Sequence, residues 1–389
     1  MNDFQPQPDL VVLSHLRWAW VWQRPQHLVS RFAQQRIRSG ARTWFVEEPI
    51  AADVPQPEIR YEQRDGVTRI WLEVTGKNDP TGSISFTDPR AACYPALLAE
   101  LLGQLGGRPA PDLWLYTPMA YDIAKCLDGG RLIYDVMDDL SSFKHAPEGL
   151  RLRQRQLLSA ADVVFTGGRS LYRATLNQRQ HAVHLFPSGV ESQHYAASRS
   201  LRTPHSRKVA GYVGVVDERV DLELIAGLAR ELPDWTVRIV GPVTKIDEDS
   251  LPQAANIEYL GMVAYPELPR IMAGFDVALM PFALNEATRS ISPTKTLEYL
   301  AAGLPVVSTR VPDVVTDYAD VVHLADDGAE FAAACREVLT HPVAERDRRV
   351  RPIQARQEWD YIASAMTKLV DTYAGTTAGY RADQVEVSV

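Results

Sequence analysis

A chain of 389 residues is long enough for two domains of ordinary size, each burying its own core. With 46% hydrophobic and 23% charged residues it reads as a soluble globular protein, and a formal net charge of −8 excludes a general nucleic-acid binder, which needs a dominant basic face. Cys93, Cys126 and Cys335 are widely spaced and odd in number, so they suggest neither a disulfide framework nor a zinc site and fit a reducing cytosol.

Residues 1–9 lack the basic start and apolar core of a signal peptide, and no apolar run reaches the roughly 18 residues that span a bilayer. Beyond them, apolar runs alternate with helical spacings, the signature of parallel sheets covered by helices on both faces. In the first half, strands are expected at residues 10–14, 43–47, 69–74, 113–117, 132–135, 162–166 and 183–186. The rhythm restarts at 209–213, 236–240, 257–260, 277–280, 305–309 and 321–324. The expected fold is α/β, with two doubly wound, Rossmann-like domains facing an interdomain cleft. Residues 1–195 are expected to form the first domain, 196–207 an exposed linker and 208–353 the second domain. A helix over 354–375, apolar through Trp359, Ile362, Met366, Leu369 and Val370, and a frayed tail over 376–389 complete the chain.

Open parallel sheets bind ligands beyond the carboxyl ends of their strands, so candidate residues are sought there. The first such loop carries His15, Arg17, Trp18, Trp20, Trp22 and Arg24. The alternating tryptophans read either as one side of a packed segment or as a wall for an acceptor sugar, with Trp18 and Trp22 offering flat faces and Arg17 and Arg24 forked donors. His15, in the loop, is a candidate catalytic residue, whereas His27 falls inside the following helix and reads as structural. After residues 132–135 come Asp138 and Asp139, either a helix cap with a solvated acid or the site of a general base. Arg151, Arg153 and Arg155 read as a solvated surface or as a contact for anionic lipid headgroups.

In the second domain, Gly214 and Gly241 end successive strands and permit close backbone approach, while Arg219 is placed to grip a diphosphate. Asp247-Glu248-Asp249 reads as a solvated loop. The richest stretch is 292–309, SPTKTLEYLAAGLPVVST. Pro293 suits the first position of a helix, Ser292 and Thr294 flank it, and the gathered N–H groups favour phosphate oxygens. Lys295 adds a positive charge, and Glu298, three residues on, can accept hydrogen bonds from vicinal hydroxyls. Spacing alone also admits an ordinary surface ion pair.

This stretch resembles the nucleotide-sugar motif of GT-B glycosyltransferases, especially the family-4-like group. The resemblance implies that Lys295 meets the donor diphosphate and Glu298 the ribose, that residues 259–263, beginning with Tyr259, border the base, and that the last helix crosses back to the first domain. Ser290 stands where retaining members carry a second acid. Residues 134–139 resemble the segment carrying the base in inverting glucuronosyltransferases of the xanthan type, with Asp138 at the matching position. WVWQRPQH resembles a subgroup of bacterial GT-B enzymes building cell-surface polysaccharides, similar to teichuronic acid and xanthan-type sugar transferases.

Taken together, these motifs imply a metal-independent glycosyltransferase moving a sugar from a nucleoside diphosphate donor, expected to be a UDP-sugar, to a surface polysaccharide or lipid-linked glycan. No cofactor or metal is expected besides the donor. The expected location is the cytoplasm, with the inner face of the membrane as an option. A nucleotide-sugar 2-epimerase and a non-catalytic nucleotide-sugar-binding module are the alternatives.

Overall fold

The computed structural model describes residues 7–77, 84–142, 149–292 and 294–373. The chain divides into two units, one of residues 1–167, 171–186 and 362–389, the other of 168–170 and 187–361.

In the first unit the strands are β1 (Leu10–Ser14), β2 (Thr43–Glu47), β3 (Ile50–Ala52), β4 (Glu58–Arg64), β5 (Val67–Thr75), β6 (Asp112–Leu115), β7 (Leu132–Val136), β8 (Val163–Thr166) and β9 (Val183–Leu185). They form one sheet in the order β3-β5-β2-β1-β6-β7-β8-β9, parallel apart from β4, which pairs antiparallel with β5. Strands β1, β2, β6, β7 and β8 are buried at every residue, as a sheet covered on both faces requires. Leu10 pairs with Thr43 on one side and Asp112 on the other, so the chain order reverses at β1. The helix Arg24–Ile37 follows β1 and carries Pro25 in its first turn, with the Gln26 side chain accepting the Gln23 N–H at 3.1 Å. Its apolar face includes Leu28, Val29 and Phe32, and Phe32 lies 4.8 Å from the Trp114 ring.

The second unit contains β10 (Val209–Val213), β11 (Thr236–Val240), β12 (Ile257–Tyr259), β13 (Val277–Met280), β14 (Val306–Ser308) and β15 (His323–Leu324). All pair in parallel in the order β12-β11-β10-β13-β14-β15, the doubly wound order, with its topological switch between β10 and β13. Ala210 registers with Val237 on one side and with Val277 on the other.

The boundaries differ from the sequence reading in particular places. Residues 187–195 group with the second unit, and the helix Ser192–Leu201 runs into the stretch expected as a linker because it buries Tyr195 and Ser198; only 202–207 is both exposed and free of helix. The expected single helix over 354–375 is instead the end of Val343–Arg356 and a separate helix, Trp359–Thr372. The latter begins among second-unit residues and continues in the first, where Arg131 donates to the Val370 carbonyl at 2.9 Å and Thr367 to Gln35 at 2.9 Å. The tail expected over 376–389 lies outside the described residues. No helix among the described residues is long and apolar enough to cross a membrane.

Candidate functional site

The switch between β10 and β13 is where two loops leave the sheet in opposite senses, and in this chain they are laced together. The Asp221 N–H donates to the Pro281 carbonyl at 2.8 Å, the Ala283 N–H to the Arg219 carbonyl at 2.9 Å and the Asn285 amide to the Glu218 carbonyl at 2.8 Å. Val220 and Phe282 pair as an antiparallel bridge. Within the first loop Arg219 grips the buried Asp217 carboxylate, Nε at 2.9 and 3.1 Å and Nη2 at 2.7 Å, so its guanidinium plane is fixed before any ligand arrives.

Glycines line the ends of the neighbouring strands. Gly241 has φ +141°, and a Cβ there would stand 1.9 Å from the Gly214 carbonyl oxygen, so only glycine lets these strand ends touch. The Gly241 N–H donates to the Gly261 carbonyl at 2.8 Å. Leu260 and Met262, flanking Gly261, are exposed apolar side chains at the end of β12, an arrangement suited to the flat face of a base. Tyr259 points elsewhere: its hydroxyl donates to the Pro252 carbonyl at 2.9 Å, and burial raises its pKa to about 12. The polar end of Tyr259 is therefore committed within the protein, which leaves its backbone groups for the base expected beside residues 259–263.

The helix Thr294–Ala301 is fastened to this floor. The Tyr299 hydroxyl accepts the Val213 N–H at 2.7 Å and stands 3.2 Å from the Val213 carbonyl, binding the helix to the end of β10. At the far end of the helix, Arg199, Arg202 and Arg346 donate to the carbonyls of Ala301, Ala302 and Gly303 respectively, at 3.4, 3.1 and 2.8 Å. These cations answer the negative end of the helix dipole and leave the positive end for a ligand. At that positive end the Thr294 N–H donates to the Ser292 carbonyl at 3.0 Å, and both residues are half-buried; Pro293 lies outside the described residues. Lys295 Nζ is 2.8 Å from Glu298 Oε2, with side chains 18% and 7% exposed, so this is a sheltered ion pair rather than a surface one.

Beside Glu298 lies a cluster that the sequence reading did not find. The Tyr265 hydroxyl donates to the Glu191 carboxylate, and its ring stacks on His194 at 4.4 Å and 10°. Tyr195 meets Tyr265 edge-on at 6.1 Å. Burial, with the negative Glu191 and Glu298 nearby, holds the Tyr265 hydroxyl protonated far above the usual tyrosine range. The apolar spacing of Tyr195 in its helix was the available signal; nothing in the sequence joins it to a residue on the Thr294 helix. Ser290 is buried, and the nearby Glu286 is an exposed partner of Arg289 at 2.6 Å, so that glutamate does not replace the missing acid.

In the first unit the predicted residues separate. Glu47, fully buried, accepts from the Trp18 N–H at 2.7 Å and from Arg17 and Arg69 at distances of 2.7 to 3.2 Å. Arg24 is 2% exposed, with Nε 2.9 and 3.0 Å from the Asp135 oxygens and Nη1 2.8 Å from the Phe186 carbonyl. Trp18 is 4% exposed and packs edge-on against Phe45 at 5.0 Å. Arg17, Trp18 and Arg24 thus all have partners within the first unit. Trp22 is half-buried, 5.2 Å from the buried His27 ring. His15 follows β1 and Asp138 follows β7, both half-buried at the carboxyl edge of the sheet. Next to Asp138, Asp139 accepts from Ser141 at 2.8 Å and, with Arg151, Gln154, Arg155 and Gln178, lines a cavity of about 190 Å3. Arg153 turns away to Asp122 at 2.8 Å.

Comparison with known proteins agrees with this architecture. Residues 207–341 match the family described as Glycosyl transferases group 1. The chain is 27% identical over 302 residues to Bacillus subtilis TuaH, described as a teichuronic acid biosynthesis glycosyltransferase, covering 70% of this chain and 75% of that protein. Anabaena HepE, solved with UDP and glucose, superposes with a TM-score of 0.67 at 15% identity, covering 94% of this chain and all (100%) of that one. Sucrose-phosphate synthase from Thermosynechococcus elongatus gives 0.66 at 15% identity, covering 94% and 99%. Likeness at this identity establishes the fold. The switch-point site is carried by the matched residues, so the chain has the fold of the GT-B glycosyltransferases and its residues 207–341 are similar to the group 1 glycosyl transferase family.

Proposed function

We propose that the second unit binds a UDP-sugar and that the chain transfers its sugar to a cell-surface polysaccharide or lipid-linked glycan precursor. The observation that carries this reading is the sheltered Lys295–Glu298 pair at the positive end of a helix anchored to β10. On this reading Lys295, Arg219 and the helix N–H groups hold the diphosphate, Glu298 accepts from the ribose hydroxyls, and Gly214 and Gly241 let the nucleotide lie against the strand ends. The structures solved with UDP and glucose, and with UDP-2-fluoro glucose in the Escherichia coli trehalose-6-phosphate protein, support UDP as the nucleotide. The likeness to TuaH supports a surface polysaccharide as the acceptor class.

The chemistry is displacement at the anomeric carbon. Asp138 takes the proton of the acceptor hydroxyl as the new glycosidic bond forms. The bond to the diphosphate breaks, and its charge settles on Lys295, Arg219 and the helix terminus without a metal. Ser290, where retaining relatives carry an acid, favours this direct displacement. Arg151 and Arg155, beside Asp139, suit an anionic or lipid-linked acceptor.

The test is to incubate the chain with UDP-sugars, with and without a lipid-linked acceptor, and follow UDP release. Acceptor-dependent UDP release that falls 100-fold or more in Asp138→Asn, with donor affinity retained, is expected for a general base. Consumption of donor alone to give an isomer indicates a 2-epimerase. Because Ser290 removes an expected acid, a binding module without turnover is the second reading; donor binding with no UDP release under any condition supports it.

A further inference from the structure

The Tyr195 side chain is 1% exposed, and among the described residues its hydroxyl oxygen makes no hydrogen bond of good geometry, although Glu298 and Tyr265 stand close enough to act on it. A buried hydroxyl in that position destabilises the free protein, because it has given up water without a well-formed bond in return. The groups it faces are the carboxylate of Glu298 and the hydroxyl of Tyr265. Tyr265 already gives its proton to Glu191, so toward Tyr195 it can act only as an acceptor, and a weaker one than a carboxylate. Glu298 is turned to Lys295. A diphosphate that draws on the Lys295 ammonium weakens that contact and leaves a sheltered carboxylate in need of another donor.

We infer that Tyr195 is a positioning residue for the donor site: when a nucleoside diphosphate engages Lys295, the Tyr195 hydroxyl donates to Glu298 and aims its carboxylate at the ribose hydroxyls. The inference rests on the proposed donor site and adds to it the residue that sets selectivity for a ribose diol. Burial keeps the hydroxyl protonated, and therefore a donor, throughout the pH range of activity.

The experiment compares the whole chain with Tyr195→Phe, Glu298→Gln and the double variant, each titrated calorimetrically with UDP and 2′-deoxy-UDP, with melting followed in parallel. Tyr195→Phe is expected to melt at or above the wild-type temperature without nucleotide, since it removes a poorly bonded group. It is expected to bind UDP roughly tenfold more weakly, the size of one hydrogen bond to a charged group, and 2′-deoxy-UDP nearly as well as wild type. The KM for donor rises while kcat changes little, and the double variant binds UDP no more weakly than Glu298→Gln alone. Equal weakening toward both nucleotides, additive effects in the double variant, or a clear fall in the melting temperature of the free Tyr195→Phe protein would each overturn the inference. Wild-type chain that ignores UDP, or a Glu298→Gln variant that binds it undiminished, removes the donor-site reading and this inference with it. Wild-type behaviour confined to Tyr195→Phe removes the inference alone.

Discussion

Lys295 Nζ lies 2.8 Å from Glu298 Oε2 across one turn of a helix whose opposite end is capped by arginines. An exposed pair of this spacing contributes only about 0.3–0.5 kcal/mol, so its shelter indicates more than helix support. On the proposed reading, these two charges held side by side are a preset cation for phosphate and a preset acceptor for hydroxyls. Lys295→Met is expected to weaken UDP binding by about one to two orders of magnitude and uridine binding hardly at all, because only the former carries the diphosphate. Glu298→Gln is expected to weaken both. Calorimetric titration with the two ligands separates these outcomes.

The glycines at the strand ends differ in what a side chain would meet. At Gly241 an added Cβ would overlap the Gly214 carbonyl oxygen at 1.9 Å, whereas at Gly261, φ +65°, it would meet nothing within 4 Å. Gly241→Ala is therefore expected to cost about 3 kcal/mol or more, since β10 and β11 must separate, and Gly261→Ala only about 1 kcal/mol of backbone strain. Urea denaturation of the two variants measures the contrast directly.

Asp276 tests the electrostatics at the start of β10. Burial alone would raise its pKa, but hydrogen bonds from Lys208, the Val209 N–H and His205, at 2.9, 2.9 and 2.8 Å, outweigh that and hold it below the ordinary aspartate range. A carboxylate with a depressed folded pKa stabilises the protein above its unfolded pKa and loses that contribution as pH falls through the folded value. Asp276→Asn is expected to be less stable than wild type at pH 7, with the difference shrinking as pH falls below about 4. Unfolding curves across that range check the sign.

Arg24 and Asp135 form a buried pair with side chains 2% and 0% exposed. Arg24→Met leaves an uncompensated carboxylate inside the first unit and is expected to cost about 3–5 kcal/mol; Arg24→Met with Asp135→Leu is expected to recover much of that loss. Retained stability with a raised KM for acceptor would instead place Arg24 on the acceptor wall.

The sequence made some elements plain and hid others for identifiable reasons. β1, β2 and β10 announce themselves as short, largely apolar runs, buried at every residue because both sheet faces are covered. β4 escapes because residues such as Arg60, Glu62 and Arg64 face solvent, and its pairing with β5 comes from the turn at Asp65 and Gly66, both at positive φ. The helix Ser192–Leu201 is hidden by its polar composition, although Tyr195 and Ser198 bury one face of it. The pairing of Lys295 with Glu298 was legible because the two stand three residues apart on one helix. The partners of Arg17, Trp18 and Arg24 were hidden for the opposite reason: Glu47, Phe45 and Asp135 come from other strands, and residue type alone does not tell a ligand's arginine from a core arginine. Tyr195 and Tyr265 were missed in the same way, since only folding brings them beside Glu298.

The most direct measurement is a thermal-shift titration of the wild-type chain with UDP, GDP, ADP and their glucose conjugates, repeated on Lys295→Met and Glu298→Gln. A ligand that binds only the folded state raises its stability in proportion to the logarithm of its concentration over Kd. The account predicts a dose-dependent rise with UDP and its sugar that shrinks in both variants. Melting temperatures unmoved by every nucleotide at millimolar concentration, or a UDP shift untouched by both substitutions, would contradict a donor site at this helix.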